Sequence, residues 1–259
     1  MSLVIIEKDR AITSLKLNRP DKMNALSWDL IDEITQTLKD LTKEATEDKL
    51  RCLLIGSSSP KAFCAGADLK ERLAMTEEKV VETLDKLKLL MDVLDDFPMP
   101  TLAVMEGIAF GGGLELALAC DLRVAHHSAS MGLTEVNLAI IPGAGGTQRL
   151  PRIVGEAKAK KMIFLAEKFT GDEALKEGLV HTTSADPWKK AHAWAEELIH
   201  KGPLALRMAK ESISSGRSLS MNAAIDMERG CYMRLLGSED RLEGLKAFTE
   251  KRSPVYKGK

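Results

Sequence analysis

The chain has 259 residues, of which 44% are hydrophobic and 29% charged, an ordinary globular balance with room for one large domain or two small ones. Its 37 Lys+Arg against 38 Asp+Glu leave a net charge of -1, so no broad attraction to nucleic acid or to an anionic membrane is expected. Aromatic residues at 4% are too few for a base-stacking platform to be the default reading.

The N-terminus, Met1 to Arg10, reads as a strand carrying Glu7 and Asp9, with neither a secretory apolar stretch nor an Arg-rich transit helix. A cytoplasmic location is expected, or the mitochondrial matrix if a transit peptide has been removed. Leu3–Glu7 and Ala11–Leu17 flank Asp9-Arg10 as a hairpin would. Ser27 can cap a helix whose apolar residues Leu30, Ile31, Ile34, Leu38 and Leu41 recur at helical spacing. The alternating charges from Lys39 to Lys49 suit its solvated end. Strand-like runs follow at Cys52–Ile55, Thr101–Met105 and Leu122–Ala125, separated by helical stretches near Glu77–Leu94 and Leu114–Ala119. The most apolar region, Ile108 to Ala125, is broken by Glu115 and Asp121 and cannot span a bilayer. Cys52, Cys64, Cys120 and Cys231 form no C-x-x-C pair, which argues against a disulfide framework or zinc site and for a reducing compartment.

Beyond about Gly155 the pattern is nearly all helical. Thr170 and Glu173 make a capping-box signature, with Gly178 where that short helix should stop. Further helices are predicted near Trp188–His200, Leu204–Ser214, Met221–Leu235 and Glu239–Phe248. A mixed strand and helix core followed by a helical last third is an α/β reading. Met208, Met221, Met227 and Met233 fall in those helices as core or subunit packing.

Gly111-Gly112-Gly113 follows a predicted strand and opens a helix, a setting for anion binding. The dinucleotide pattern nevertheless fails at Leu116, and Gly113-Leu114 stands where a P-loop needs Lys-Ser/Thr. Taken alone, the glycines are better explained by a tight strand–helix turn. Glu115, inside the apolar run from Leu114 to Ala119, is costly unless paired or used. An exposed face, an ion pair with Arg123 or a functional role would each account for it. Glu135 sits on a short polar loop before Ile140, and Asp68 follows the small residues Cys64 to Ala67. His126-His127 lacks a third ligand at metal spacing and reads as an exposed turn. Asp121 reads as a structural cap or a partner for Arg123.

Several segments together resemble the enoyl-CoA hydratase (crotonase) family. Ala62-Phe63-Cys64-Ala65-Gly66-Ala67-Asp68-Leu69 is similar to its first signature, and Gly111-Gly112-Gly113-Leu114-Glu115-Leu116-Ala117 to its second. The third, Ile141-Pro142-Gly143-Ala144-Gly145-Gly146-Thr147-Gln148-Arg149-Leu150, follows the loop with Glu135. Asn18-Arg19-Pro20, Asn24-Ala25-Leu26 and the ending around Phe248–Arg252 match as well. Leu69-Lys70-Glu71-Arg72, Leu116–Asp121 and Arg241–Leu245 resemble most closely the AU-RNA-binding homologue, or methylglutaconyl-CoA hydratase, subgroup.

This resemblance implies an α/β spiral of ββα units over residues 1–195, then a helical region, 196–259, that builds homotrimers or homohexamers. It also implies hydration of the 2,3 double bond of an α,β-unsaturated acyl-CoA thioester, either a straight-chain enoyl or a 3-methylglutaconyl thioester. Ala67 and Gly112 would offer N–H groups to the thioester oxygen, Glu115 would act as base for water and Glu135 as acid. CoA, part of the substrate and not a cofactor, would run along Lys22, Met23, Ala25, Ala65, Ala67, Asp68, Leu69, Lys70 and Gly112, with Lys251 reaching a phosphate from a neighbouring subunit. No metal or redox cofactor is expected. The alternatives are a Δ3,Δ2-enoyl-CoA isomerase, which needs one base, and a non-catalytic RNA-binding homologue. That subgroup binds RNA through a lysine comb on its first helix; here the comb positions are Trp28, Asp32 and Gln36, so no specific nucleic acid partner is expected.

Overall fold

The computed structural model describes residues 2–259; Met1, the first residue of the N-terminal strand reading, lies outside them. The expected hairpin forms: β1 (Val4–Asp9) pairs antiparallel with β2 (Ile12–Leu17), and Arg10 turns the corner at φ 52°. Ser27 then caps α1 (Trp28–Thr46) by accepting from the Leu30 N–H, and the apolar stripe from Leu30 to Leu41 is buried.

Three strand pairs follow one plan. In each, the first strand joins a six-stranded sheet and the second crosses to a four-stranded sheet, after which the chain turns into helix. The first turn is β3 (Cys52–Ser57), β4 (Ala62–Cys64), α2 (Leu69–Leu73) and α3 (Glu77–Asp95). The second is β5 (Thr101–Met105), β6 (Ile108–Phe110) and α4 (Gly112–Ala119). The third is β7 (Leu122–His126), β8 (Ser130–Gly132), α5 (Gly146–Val154) and α6 (Glu156–Phe164). β9 (Phe169–Thr170), α7 (Gly171–Lys176) and β10 (Thr182–Ser184) complete the sheets, whose orders are β1-β2-β3-β5-β7-β10 and β4-β6-β8-β9. Thr170 and Glu173 form the expected capping box, and Gly178 follows that helix at φ 78°. The repetition is the expected spiral of ββα units.

Period-two alternation divides the central strands between two cores. Leu53, Ile55, Ala103, Met105 and Ala125 face the main core with α1, α3 and α4. Cys52, Leu54, Leu102, Val104 and Val124 face Ala191, Ala195 and Ile199 of α8 (Pro187–Ile199). A boundary between residues 195 and 196 would therefore cut α8, whose buried stripe belongs to the sheet core up to Ile199. The separate helical region begins after it, with α9 (Pro203–Gly216), α10 (Met221–Met233) and α11 (Glu239–Thr249). Its anchors are polar: Arg207 donates to the Ala45 carbonyl at 2.8 Å and Lys210 to Asp121 at 2.8 Å. Met208 is buried, whereas Met221, Ile225, Met233, Leu245 and Phe248 are exposed.

All four cysteines are free and buried, and burial pushes the Cys52, Cys64 and Cys120 thiols up to about 12. Among the described residues no helix is long and apolar enough to cross a membrane.

Candidate active site

A cavity of about 150 Å³ opens where the spiral turns meet, and its wall includes Leu26, Ala65–Ala67, Gly111, Gly112, Glu115 and Glu135. The motifs far apart in sequence are thus brought to one place, and each glycine of the triplet has its own reason. Gly111 takes φ 51°, and a Cβ there would lie 3.1 Å from Glu135 Oε1. A Cβ on Gly113 would collide with the Cys64 carbonyl. A Cβ on Gly112 would meet Leu26 at 3.1 Å, Ala67 N at 3.9 Å and Glu115 Oε2 at 4.0 Å, projecting into the space those groups enclose.

Ala67 is joined to Leu26 by a parallel bridge in which Leu26 N–H donates to the Gly66 carbonyl and Asp68 N–H to the Leu26 carbonyl. That pattern leaves the Ala67 N–H turned away from the bridge. Gly112 is the first residue of α4, so its N–H has no partner inside the helix. Among the described residues neither N–H has a protein acceptor. Two main-chain donors, one at the positive end of a helix, therefore stand free beside the cavity.

Glu115 is only 2% exposed, in an apolar helix, and it is not paired with Arg123. Its Oε1 instead accepts the Ala144 N–H at 2.8 Å and the Gly146 N–H at 2.7 Å. Arg149 holds that segment from behind, donating to the Ala144 carbonyl at 3.1 Å and pairing with Asp95 at 3.3 Å. Burial pushes the Glu115 carboxyl above the ordinary range, against the pull of the two N–H donors and of Arg149. Arg123 is spent elsewhere, donating to the Leu179 and Cys120 carbonyls at 2.8 and 2.9 Å and so closing the end of α4.

Glu135 opens a single 3₁₀ turn, Glu135–Leu138, where a plain loop was expected. Its Oε2 is buried with no partner. Burial pushes this carboxyl up to about 7; its own N–H pulls the other way, and the Glu115 charge adds to the rise. The two glutamates thus share the cavity with raised proton affinities and unlike surroundings.

The expected CoA-binding residues form two adjacent loops. Ala65 N–H donates to the Met23 carbonyl at 3.0 Å, which lays Lys22–Ala25 alongside Ala65–Lys70. Lys22, Met23, Leu69 and Lys70 are exposed there, and Ala25 and Ala65 are partly so. Buried Asn24 locks the first loop, donating to Ser57 and to the Ala62 and Phe63 carbonyls. The Asp68 carboxylate is committed within the fold: it caps α2 and accepts from Arg19 at 2.7 Å, which holds it below the usual carboxylate range. Its backbone is engaged as well, the N–H by the Leu26 carbonyl and the carbonyl by the Arg72 N–H, so Asp68 shapes the loop. Lys251, exposed beyond α11, does not line the cavity of its own chain.

One structural reading also needs correction in its partner. Asp121 does not pair with Arg123; it accepts from the Thr101 N–H and hydroxyl and from Lys210. His127 is held by Asp172 at 2.8 Å and His126 bonds Ser128, while among the described residues no three His, Cys, Asp or Glu gather as a metal would need. The sequence reading missed the N–H cradle of Ala144 and Gly146 as the partner of Glu115. It also gave no site role to Arg72, Leu84 and Leu87, which line the wall as well.

A family model described as enoyl-CoA hydratase/isomerase matches residues 7–259. The mitochondrial methylglutaconyl-CoA hydratase of Rattus norvegicus is 43% identical over 97% of this chain and 81% of its own. The mitochondrial enoyl-CoA hydratase domain-containing protein 2 of Homo sapiens is 44% identical over 97% of this chain and 87% of its own. The crystal structure of an enoyl-CoA hydratase from Bacillus anthracis superposes with a TM-score of 0.96 at 42% identity, covering 100% of both chains.

Proposed function

The chain belongs to the enoyl-CoA hydratase/isomerase family, and from that premise we propose that it hydrates the 2,3 double bond of an α,β-unsaturated acyl-CoA thioester. The observation that carries this reading is the pairing of two carboxyls of raised proton affinity with two free N–H donors around one cavity. An isomerase moves a single proton and needs one base; two carboxyls suit the addition of water.

In this reading the thioester oxygen accepts the Ala67 and Gly112 N–H groups, which stabilise the negative charge that gathers there as Cβ is attacked. Water lies between the carboxyls. Glu115, whose charged form is held by Ala144 and Gly146, takes the proton as the water oxygen bonds to Cβ. Glu135, with its value near 7, gives its proton to Cα. One turnover leaves Glu115 protonated and Glu135 ionised, so a proton passes from Glu115 to Glu135, directly or through water, before the next, and the two titrate as a coupled pair. Every proton and charge of this addition has a partner in the chain, so the reaction as written calls for no metal or redox cofactor.

The cavity has about the volume that encloses one benzene molecule, which favours a short acyl group. CoA would lie along the Lys22–Ala25 and Ala65–Lys70 loops. The exposed apolar residues of α10 and α11 support assembly into trimers or hexamers, which could bring Lys251 of one copy toward the CoA of another. A reducing compartment, cytoplasm or mitochondrial matrix, suits the four buried thiols. The direct test is the conjugated absorbance of crotonyl-CoA. Its loss on adding enzyme is expected; no loss with this substrate, joined to a gain with a 3-enoyl thioester, would favour the isomerase.

A further inference from the structure

Glu115 owes its placement to the Ala144 and Gly146 N–H groups, so whatever fixes that segment fixes the proposed base. Backbone stiffness does not fix it. Gly143, Gly145 and Gly146 surround Ala144, and Gly145 sits at φ 99°. Packing does not fix it either. A second cavity, of about 600 Å³, borders the same segment, and Leu84, Ile141, Gly143 and Ala144 line both spaces. The loop is thus a thin partition that needs polar contacts to hold it. Among the described residues no main-chain N–H reaches the Ala144 carbonyl; its donor is the Arg149 guanidinium at 3.1 Å. A Cβ on Gly145 would collide with Arg149 Nη1, so glycine lets this side chain lie across the loop.

Arg149 is anchored in turn. It pairs with Asp95 at 3.3 Å, and the same Asp95 oxygen pairs with Arg217 at 2.6 Å. Asp95 ends α3, whose last turn holds no basic residue. A carboxylate beside the negative end of a helix dipole is unfavourable until cations come from elsewhere. Here one comes from α5 and the other from the end of α9, in the helical region. Arg217 is half-exposed, so its pair with Asp95 is the weaker hold.

We propose that Arg149 is a positioning residue for Glu115, with Asp95 as its partner, so that the seating of the helical region is felt at the reacting carboxyl. This rests on the hydratase reading above. The guanidinium fork reaches the Ala144 carbonyl and Asp95 at once, whereas a lysine ammonium is a point charge that favours one of them. The charge of Arg149 also holds the Glu115 carboxyl down against its burial. The other charged groups around Glu115 are Glu135 and Arg72 across its cavity, and Asp85, Lys88, Asp92 and Arg152 on the second cavity. Strands β4 and β6, also packed on α4, carry no charge.

Arg149→Met should lower kcat for crotonyl-CoA by about 30-fold, with KM changed less than about threefold. The acid limb of kcat/KM, where Glu115 is lost as a base, should move to higher pH. Arg149→Lys should keep that limb near its wild-type place and recover part of kcat. Asp95→Asn should lower kcat by about fivefold and Arg217→Gln by about twofold. Arg152→Met is the control: this exposed arginine bonds Gln148, and its loss should leave kcat and the limb unchanged. An Arg149→Met enzyme that melts earlier but keeps kcat and the acid limb would make the arginine a prop of the fold and overturn the inference. So would a rise in KM that accounts for the whole loss of kcat/KM. Should Arg149→Met not fold, an unchanged kcat in Asp95→Asn would overturn it equally. Infrared titration of the Glu115 carboxyl in Glu135→Gln, with and without Arg149→Met, needs no turnover. A band that titrates higher once Arg149 is gone, in an enzyme silent toward crotonyl-CoA, would sustain the positioning and sink only the hydratase reading. An unmoved band would overturn the positioning itself.

Discussion

Glu115 and Glu135 face one cavity but are held in opposite ways. Glu115 sits in a buried helix, with two main-chain N–H groups fixed on one oxygen and Arg149 bracing the segment that supplies them. Glu135 sits on a 3₁₀ turn whose continuation through Leu138 and Ile141 is exposed, and one of its oxygens is buried with no partner. In the first environment two N–H donors and Arg149 fix the position of the carboxyl and partly offset the burial that raises it. The second favours the protonated form and leaves an oxygen free for a substrate or water. The contrast teaches that environment, rather than residue type, separates acid from base when both are glutamate.

The largest expected effect follows from removing either carboxyl. Glu115→Gln and Glu135→Gln should each lower kcat by at least about 100-fold while binding of the CoA ester is largely kept, since each removes a proton-transfer step. Stopped-flow and steady-state hydration of crotonyl-CoA, with calorimetric binding of a saturated thioester, measure this. Near wild-type turnover in either variant would break the division of labour.

Gly112→Ala should lower kcat by about 10- to 100-fold, because its Cβ would stand between the Ala67 N–H and Glu115. Gly178→Ala, in a turn that meets no neighbour within 4 Å, should leave kcat near wild type despite some loss of stability at its φ of 78°. Equal losses of kcat in the two variants would show that glycine replacement, and not the geometry at Gly112, is responsible.

These residues also mark how far the sequence could be read. The long elements were legible because burial leaves a mark: short apolar runs in β3, β5 and β7, which are covered on both faces, and a period near 3.6 in α1 and α3. Strands β4, β6 and β8 have three residues each, too few to display a period, and of them β4 alone falls inside a segment quoted as a motif. Glu115 stood out as a charge in an apolar helix, but its partners did not, since Ala144 and Gly146 act through N–H groups that nearly every residue possesses. Arg123 was the natural candidate by side chain, yet the fold spends it on carbonyls. Asp121 finds Lys210, which is 89 positions away and beyond any local pattern. Arg72 could be quoted in a motif but not assigned, because a five-residue helix carries no facing signal.

The contrast between the glutamates can be sharpened by stability. The Glu135 carboxyl, pushed up to about 7 in the folded chain, ordinarily lies near 4.5 when unfolded. The folded state therefore binds the proton more tightly, so this group's contribution to stability is fully present below 4.5 and is lost as pH rises through 7. Glu135→Gln carries no charge to desolvate. It should be more stable than wild type at pH 8 by about 1–2 kcal/mol after allowance for solvent screening, and the difference should shrink toward zero near pH 4.5. Urea unfolding at fixed protein concentration and two pH values checks this. The same carboxyl should give kcat/KM a basic limb near pH 7, as the acid form is lost, and Glu135→Gln should abolish that limb.

The smallest effect is expected far from the cavity, on the exposed side of α1, where charges resemble Glu115 in being already engaged. The positions of the lysine comb hold Trp28, Asp32 and Gln36, and the structure adds a feature that the sequence did not suggest. Two lysines of α3 come to this side: Lys79 lies 2.8 Å from the Trp28 ring centre and Lys86 pairs with Asp32 while standing 4.7 Å from the same ring. Lys79 also pairs with Glu82 at 3.0 Å. Cations are therefore present, but each is offset by a carboxylate close by. A phosphate contact releases counterions only to the extent that the lysine's charge is uncompensated, so these lysines should add little to RNA affinity. We expect binding of AU-rich RNA weaker than micromolar at physiological salt, with no preference over a mixed sequence. Asp32→Ala frees Lys86 and should raise the affinity by a fewfold at low salt only. An anisotropy titration giving sub-micromolar, AU-selective binding by the wild-type protein would overturn this view and require another basic surface.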